Sequence, residues 1–180
     1  MEAITINTEK LFDLDNINSF AKEWKEAAIG NKVLAYYCSH MPEEILYAAD
    51  ILPYRLSGTG VTDDSQAETY LSPFSCSFCR ACFQKFLNGS YDFLDGFVAS
   101  DGCLQPQRVF DNWKFYVRKE DQFVHQFNAP RVYDESALGM YRREMLDLKN
   151  AVERFGNYVT NEKLINAIKV YNETRRLIRE

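Results

Sequence analysis

Apolar positions along this chain come in two alternating styles, short unbroken runs and stripes spaced by three and four. Ile17 to Ala28, with FAKEWKEAA at its centre, carries the stripe of an amphipathic helix, and Gly30 stands where such a helix stops. KVLAYYC (Lys32 to Cys38) is an unbroken run, too short for a helix and flanked by turn residues, which predicts a buried strand. Pro42 followed by Glu43 and Glu44 marks a helix start. Proline suits the first turn, and carboxylates suit its positive end. That helix, EEILYAADI, is expected to run to Ile51, with Pro53 opening a second strand, PYRL.

Residues 57–72 are rich in Gly, Thr and Asp and read as a loop. A helix follows from about Ser75 through CSFCRACFQKFL, with Gly89 as its stop. DGFVAS (Asp95 to Ser100) is a third strand, Gln105 to Lys114 a helix, and QFVHQF (Gln122 to Phe127) a fourth, weaker strand. The alternation of strands and helices predicts an α/β fold with a mostly parallel sheet and helices on its faces. After Pro130, Leu138, Tyr141, Met145, Leu148, Val152 and Phe155 form one long helical stripe stopped by Gly156. Thr160 introduces another helix, with Leu164, Ile168 and Tyr171 expected inward. The division expected is an α/β domain over 1–130 and a helical hairpin over 131–180, its two helices packed on each other.

Composition narrows the classes. Apolar residues make up 46% of the 180 positions, enough for a packed core, and no run is long enough to cross a membrane. A net charge of −5, with the 21 basic residues forming no stripe, argues against nucleic-acid and membrane-surface roles. The opening MEAITINTEKLFDLDNIN lacks the basic and apolar regions of a signal peptide, so a cytoplasmic protein is expected. Five cysteines then favour free thiols, metal or catalysis over disulfides.

Three of those cysteines, Cys76, Cys79 and Cys82, stand at intervals of three in CSFCRACF. The start matches a bacterial ferredoxin ligand run, but the next cysteine, Cys103, lies far downstream. On one helix, Cys76 and Cys82 would lie about 120° apart around the axis, so an unbroken helix cannot aim all three at one metal. Cys76 falls at the helix N-terminus, where a thiolate is favoured, while Cys79 and Cys82 would point into packing. A structural zinc site wants a second close pair that the chain lacks; His40 and His125 are isolated. Cys103 sits in the turn after the third strand, and Cys38 closes the first. In parallel sheets ligands bind outside the carboxyl ends of strands. Cys38, Glu43, Glu44 and Cys103 are therefore expected on one edge, with Cys76 nearby. The competing interpretation is a set of unrelated core thiols beside an ordinary helix-start acid.

The segments CSHMPEEILYAADILPYRL, YLSPFSCSFCRACF, GSYDFLDGFVASDGC and FDNW, with YNETRRLI near the end, resemble the 2-hydroxyacyl-CoA dehydratase and benzoyl-CoA reductase family over about residues 30–180. The resemblance implies a Rossmann-like domain holding a [4Fe–4S] cluster beside an acyl-CoA pocket. It also implies a homologous second subunit and an ATP-dependent activator protein that delivers electrons. Cys76 and Cys103 match the family's cluster cysteines, and Glu44 its acid, with Glu43 beside it and expected to face outward. Family chains are longer and carry a further cluster cysteine, so this sequence is expected to be an N-terminal portion. Cys79 stands where relatives often carry an aliphatic residue.

Such a cluster would suit dehydration of a 2-hydroxyacyl thioester, whose β-proton is unactivated, or reduction of an aromatic acyl thioester. Both need electrons of very low potential. Two alternatives stay open, a small iron–sulfur electron carrier and a non-catalytic assembly module. Binding of acyl-CoA and content of iron and sulfide separate them. Arg55, Arg80 and Arg108 lie near the predicted edge but are assigned no role.

Overall fold

A computed structural model describes residues 14–180. Helix α1 (Leu14–Ala27) leads into strand β1 (Lys32–Tyr36), and Gly30, at φ 96°, makes the left-handed turn between them. Helix α2 (Glu43–Ala48), strand β2 (Ile51–Arg55) and a one-turn helix α3 (Ser65–Glu68) follow. Then come α4 (Ser77–Leu87), β3 (Gly96–Ser100), α5 (Leu104–Tyr116), β4 (Phe123–Phe127), α6 (Glu135–Phe155) and α7 (Asn161–Arg179). The four strands form one sheet in the order β2-β1-β3-β4, and every pair is parallel. The expected α/β fold is therefore observed. Because the chain steps outward from β1 to β2 and, separately, from β3 to β4, the order of strands reverses between β1 and β3.

Side chains alternate across the sheet with period two. Val33, Ala35, Phe97 and Ala99 pack on one face with Phe83, Phe86 and Trp113 from α4 and α5. Leu34, Tyr36 and Val98 pack on the other with Ile45 and Leu46 of α2 and Leu148 and Val152 of α6. β3 is buried at all five positions, as a central strand with both faces covered must be.

Several expectations need correction. The second helix ends at Ala48, not Ile51, because Asp50 adopts a left-handed φ of 59° and the amides of Ala49 and Asp50 close back on Leu46 and Tyr47. Ile51 and Leu52 consequently open β2 ahead of Pro53, paired with Lys32 and Val33. The expected loop at 57–72 contains α3, whose Ala67 is buried and donates its N–H to Gln84 Oε1 at 3.1 Å. The terminal helices are present, but neither uses the other as its main support. α6 packs on β4 and α2, and α7 packs on α2. Leu148 and Val152 of α6 and Ala167 of α7 belong to the core of the sheet's second face. Leu138 (69% exposed) and Ile168 (43%) point outward, whereas Ala137 and Ala167 take the buried positions. A helix lying on so small a surface buries a narrow stripe, and small residues allow the close approach.

Candidate functional site

The carboxyl ends of β1 and β3 meet where the strand order reverses, the place at which open parallel sheets leave a crevice. After β1 the chain passes through Tyr37, Cys38 and His40 before Pro42 begins the approach to α2. After β3 it turns through Asp101 and Gly102 into Cys103, the N-cap of α5. A Cβ placed on Gly102 would lie 3.0 Å from His40 Nδ1 and 3.2 Å from Cys38 Sγ, so the two turns touch. Only a residue without a side chain fits that approach easily.

Cys76 is the N-cap of α4 and Cys103 that of α5; both are exposed, and neither side chain caps its helix. α4 and α5 pack against each other on the same face. The segment before Cys76 is held by its own helix. Arg80 donates to the carbonyls of Pro73 (2.8 Å) and Ser75 (3.1 Å) and pairs with Asp64 at 2.8 Å. Cys79 and Cys82 are buried (2% and 0% exposed), as their packing role required. Burial pushes both thiols up to about 12, with neighbouring cysteines adding to the effect. Cys76 stands one helical turn before Cys79, and both Cys76 and Cys103 add to the upward push on the Cys79 thiol.

The turn after β4 forms the remaining wall of the edge. A cavity of about 920 Å³ is lined by His40, Gly102, Arg131, Tyr133, Leu138 and Tyr141, among others. Asp101 pins its base: its carboxylate accepts from Ala129 N at 3.0 Å, and its carbonyl accepts from Arg131 at 2.7 Å. Asp134 caps α6 by accepting from Ala137 N at 2.7 Å, and Glu144 accepts from Asn128 N at 2.9 Å. Tyr141 packs edge-on against Phe127, and its hydroxyl is pushed above the ordinary range by burial and then by the charge of Glu44. Glu44 thus acts on Tyr141, a residue of the cavity wall, without itself lining the cavity.

A family profile described as 2-hydroxyglutaryl-CoA dehydratase, D-component, matches residues 38–180. The chain belongs to this D-component family. It is 29% identical over 163 residues to a benzoyl-CoA reductase subunit of Thauera aromatica, covering 89% of this chain and 42% of that one. It is 25% identical over 179 residues to the (R)-phenyllactyl-CoA dehydratase beta subunit of Clostridium sporogenes (97% and 47%). To the beta subunit of (R)-2-hydroxyglutaryl-CoA dehydratase of Acidaminococcus fermentans it is 28% identical over 159 residues (87% and 41%). The chain spans less than half the length of these curated relatives.

Within this D-component chain, the expectation for the acidic pair needs revision. Glu43 does not face outward. It is half-buried, and its carboxyl is raised above the usual range by desolvation, with the Tyr36 hydrogen bond opposing and Glu44 adding. Tyr171 of α7 also interacts with it. α2 has only six residues, too few for the helix dipole to carry much of the argument made for Glu44. Arg175 of α7 holds that carboxylate instead, at 2.6 Å, with the Glu44 side chain 16% exposed. Of the arginines near the edge, Arg80 is the clamp described above, Arg55 donates to Tyr37 O, and Arg108 is exposed.

A [4Fe–4S] cluster takes four ligands, commonly thiolates. Exposed Cys76 and Cys103, on adjacent helix N-termini, fit as part of such a donor set. Among the described residues, no three His, Cys, Asp or Glu side chains gather closely enough to complete one. The sequence missed His40, Tyr141 and Arg175. The signal for His40 was available, because every turn at the carboxyl end of a parallel strand reaches the same edge, whereas Tyr141 lies inside α6 and reaches the cavity only through tertiary packing.

Proposed function

We propose that this chain supplies the iron–sulfur-bearing α/β part of a subunit of a radical acyl-CoA enzyme, which dehydrates a 2-hydroxyacyl-CoA or reduces an aromatic acyl-CoA. The observation that carries the reading is the meeting of the β1 and β3 turns at the strand reversal, beside two exposed N-cap thiols. The names of the relatives supply the substrate class. Cys76 and Cys103 would hold the [4Fe–4S] cluster. When bound, such a group supplies electrons at potentials down to about −700 mV and a Lewis-acidic iron.

The chain's own residues have distinct tasks. The cavity between His40 and Tyr141 receives the acyl end, with the apolar side chains of Leu138 and Tyr141 along its wall. Glu44, fixed by Arg175, accepts or relays a proton at the substrate. A homologous second subunit and an ATP-dependent activator complete the enzyme. We infer a cytoplasmic setting, since exposed thiols require a reducing compartment.

Anaerobic loading of the complete subunit with iron and sulfide tests this. Cys76→Ala and Cys103→Ala should lose the cluster, and Cys82→Ala should retain it. Retention by both of the first two variants would refute the ligand assignment. Absence of acyl-CoA binding by the loaded subunit would favour an electron carrier instead.

A further inference from the structure

Cys76-Ser-Phe-Cys79 spans the N-cap and first turn of α4, and its two thiols have opposite environments. Cys76 is exposed, while Cys79, one helical turn on, is 2% exposed and packed in the core of the first face. Residues three apart in a helix have Cα atoms about 5 Å apart, inside the range of about 4.4–6.8 Å that a disulfide spans. The Arg80 clamp on the carbonyls of Pro73 and Ser75 holds the chain that enters α4 just ahead of Cys76. Cys82 sits a further turn inside at 0% exposure, with Tyr37 beside it.

We propose that Cys76 and Cys79 form a reversible dithiol–disulfide pair, oxidised by a low-molecular-weight disulfide. The exposed Cys76 thiolate attacks one sulfur of the small disulfide. A protein–S–S–R bond forms, the R–S–S–R bond breaks, and RS⁻ leaves. Cys79, shielded from the small molecule but one helical turn from Cys76, attacks the Cys76 sulfur; the second RS⁻ is expelled and takes up the proton that Cys79 loses. Two protein thiols are thereby oxidised by two electrons, and the small disulfide is reduced to two thiols. The pairing itself is independent of the proposed function. Its consequence rests on that reading: a disulfide at Cys76 withdraws a cluster ligand in a form that thiols restore, before irreversible sulfinic oxidation can occur.

The test treats the metal-free chain with glutathione disulfide and follows free thiols, intact mass and peptide maps. The expected result is a Cys76–Cys79 link, no glutathione retained at Cys76, and full reversal by dithiothreitol. In Cys79→Ala and Cys79→Ser, Cys76 should instead keep a glutathione adduct, whereas Cys82→Ala should behave as the parent chain. A glutathione adduct persisting at Cys76 in the parent, a reduced Cys76, or a link from Cys76 to Cys82 or Cys103 would each overturn the assignment. Iron uptake is then compared before and after oxidation, and a fall of about tenfold, reversed by dithiothreitol, is expected. If the link forms but uptake is unchanged, the regulatory consequence fails together with the ligand role of Cys76, while the dithiol pair stands.

Discussion

Gly96 and Gly139 predict opposite outcomes for the same substitution. Gly96 opens β3 opposite Phe123 of β4. A Cβ there would meet Phe123 O, and would stand 2.6 Å from Phe123 Cβ and 2.7 Å from Phe123 N. Ordinary contact begins at 3.4 Å, so the strands must part by about 0.8 Å, enough to lose a quarter to a half of each affected dispersion contact. The bond from Phe123 N to Asp95 O, now 2.8 Å, would stretch past hydrogen-bonding distance. Overpacking costs about 1–3 kcal/mol and a buried unmade bond about 1–3 more. Gly96→Ala should therefore destabilise by about 2–6 kcal/mol, lowering Tm by at least about 4 °C for a chain of this size. Gly139 lies within α6 with nothing within 4 Å of a Cβ. Gly139→Ala should gain about 0.5–1 kcal/mol from helix propensity alone. Urea titrations followed by circular dichroism measure both. A Gly96→Ala chain within about 0.5 kcal/mol of the parent would refute the close β3–β4 approach, and with it the support proposed for the turn that carries Cys103.

Leu148→Ala, at a fully buried position of α6, should cost about 2–5 kcal/mol. Leu138→Ala, at an exposed one, should stay within about 0.5 kcal/mol by the same titration. Glu43 has a folded-state pKa raised above 4.5, so its stabilising contribution is full below the unfolded value and is lost as pH rises through the folded one. The stability of Glu43→Gln relative to the parent should accordingly improve as pH rises above the ordinary carboxylate range, and a flat difference would show that Glu43 is not desolvated. In the loaded complete enzyme, Glu44→Gln should keep iron and acyl-CoA binding but lose about 10²–10⁴-fold in turnover, measured as kcat.

The sheet was legible because each strand is a short apolar run bounded by turn residues, and the helix starts read near Ser75 and Gln105 fall within two residues of where α4 and α5 begin. The stop of α2 was not, since nothing in YAADI signals that Asp50 takes a positive φ. Outward-facing Leu138 and Ile168 were misjudged for a different reason. Spacing gives the stripe of a helix but not its width, and here alanines sit at the contact. Cys76 and Cys103 were found on local grounds. Their neighbours were not, because Arg175 reaches Glu44 across 131 residues of sequence, and the burial of Glu43 depends on Tyr171 from the same distant helix. A reading of PEE as a helix start could see two equivalent carboxylates. Tertiary packing makes one an ion pair and the other a desolvated acid.

The thiols of this edge are positioned by backbone, not by one another. Cys103 follows a turn that Asp101 ties to the strand beside it and that Gly102 lets touch Cys38 and His40. Cys76 follows a turn that Arg80 ties to its own helix. Neither support passes through the other cysteine, so substitution of one should leave the other in place. Separate loss of iron in Cys76→Ala and Cys103→Ala would then report missing ligands and not a collapsed edge. The same independence gives Cys76 two possible partners. Cys79 is always within reach, in the same helix turn, whereas a metal must bridge α4 and α5. When the bridging group is absent, the local partner is the nearer one, and the competition between metal and disulfide is built into the first turn of α4.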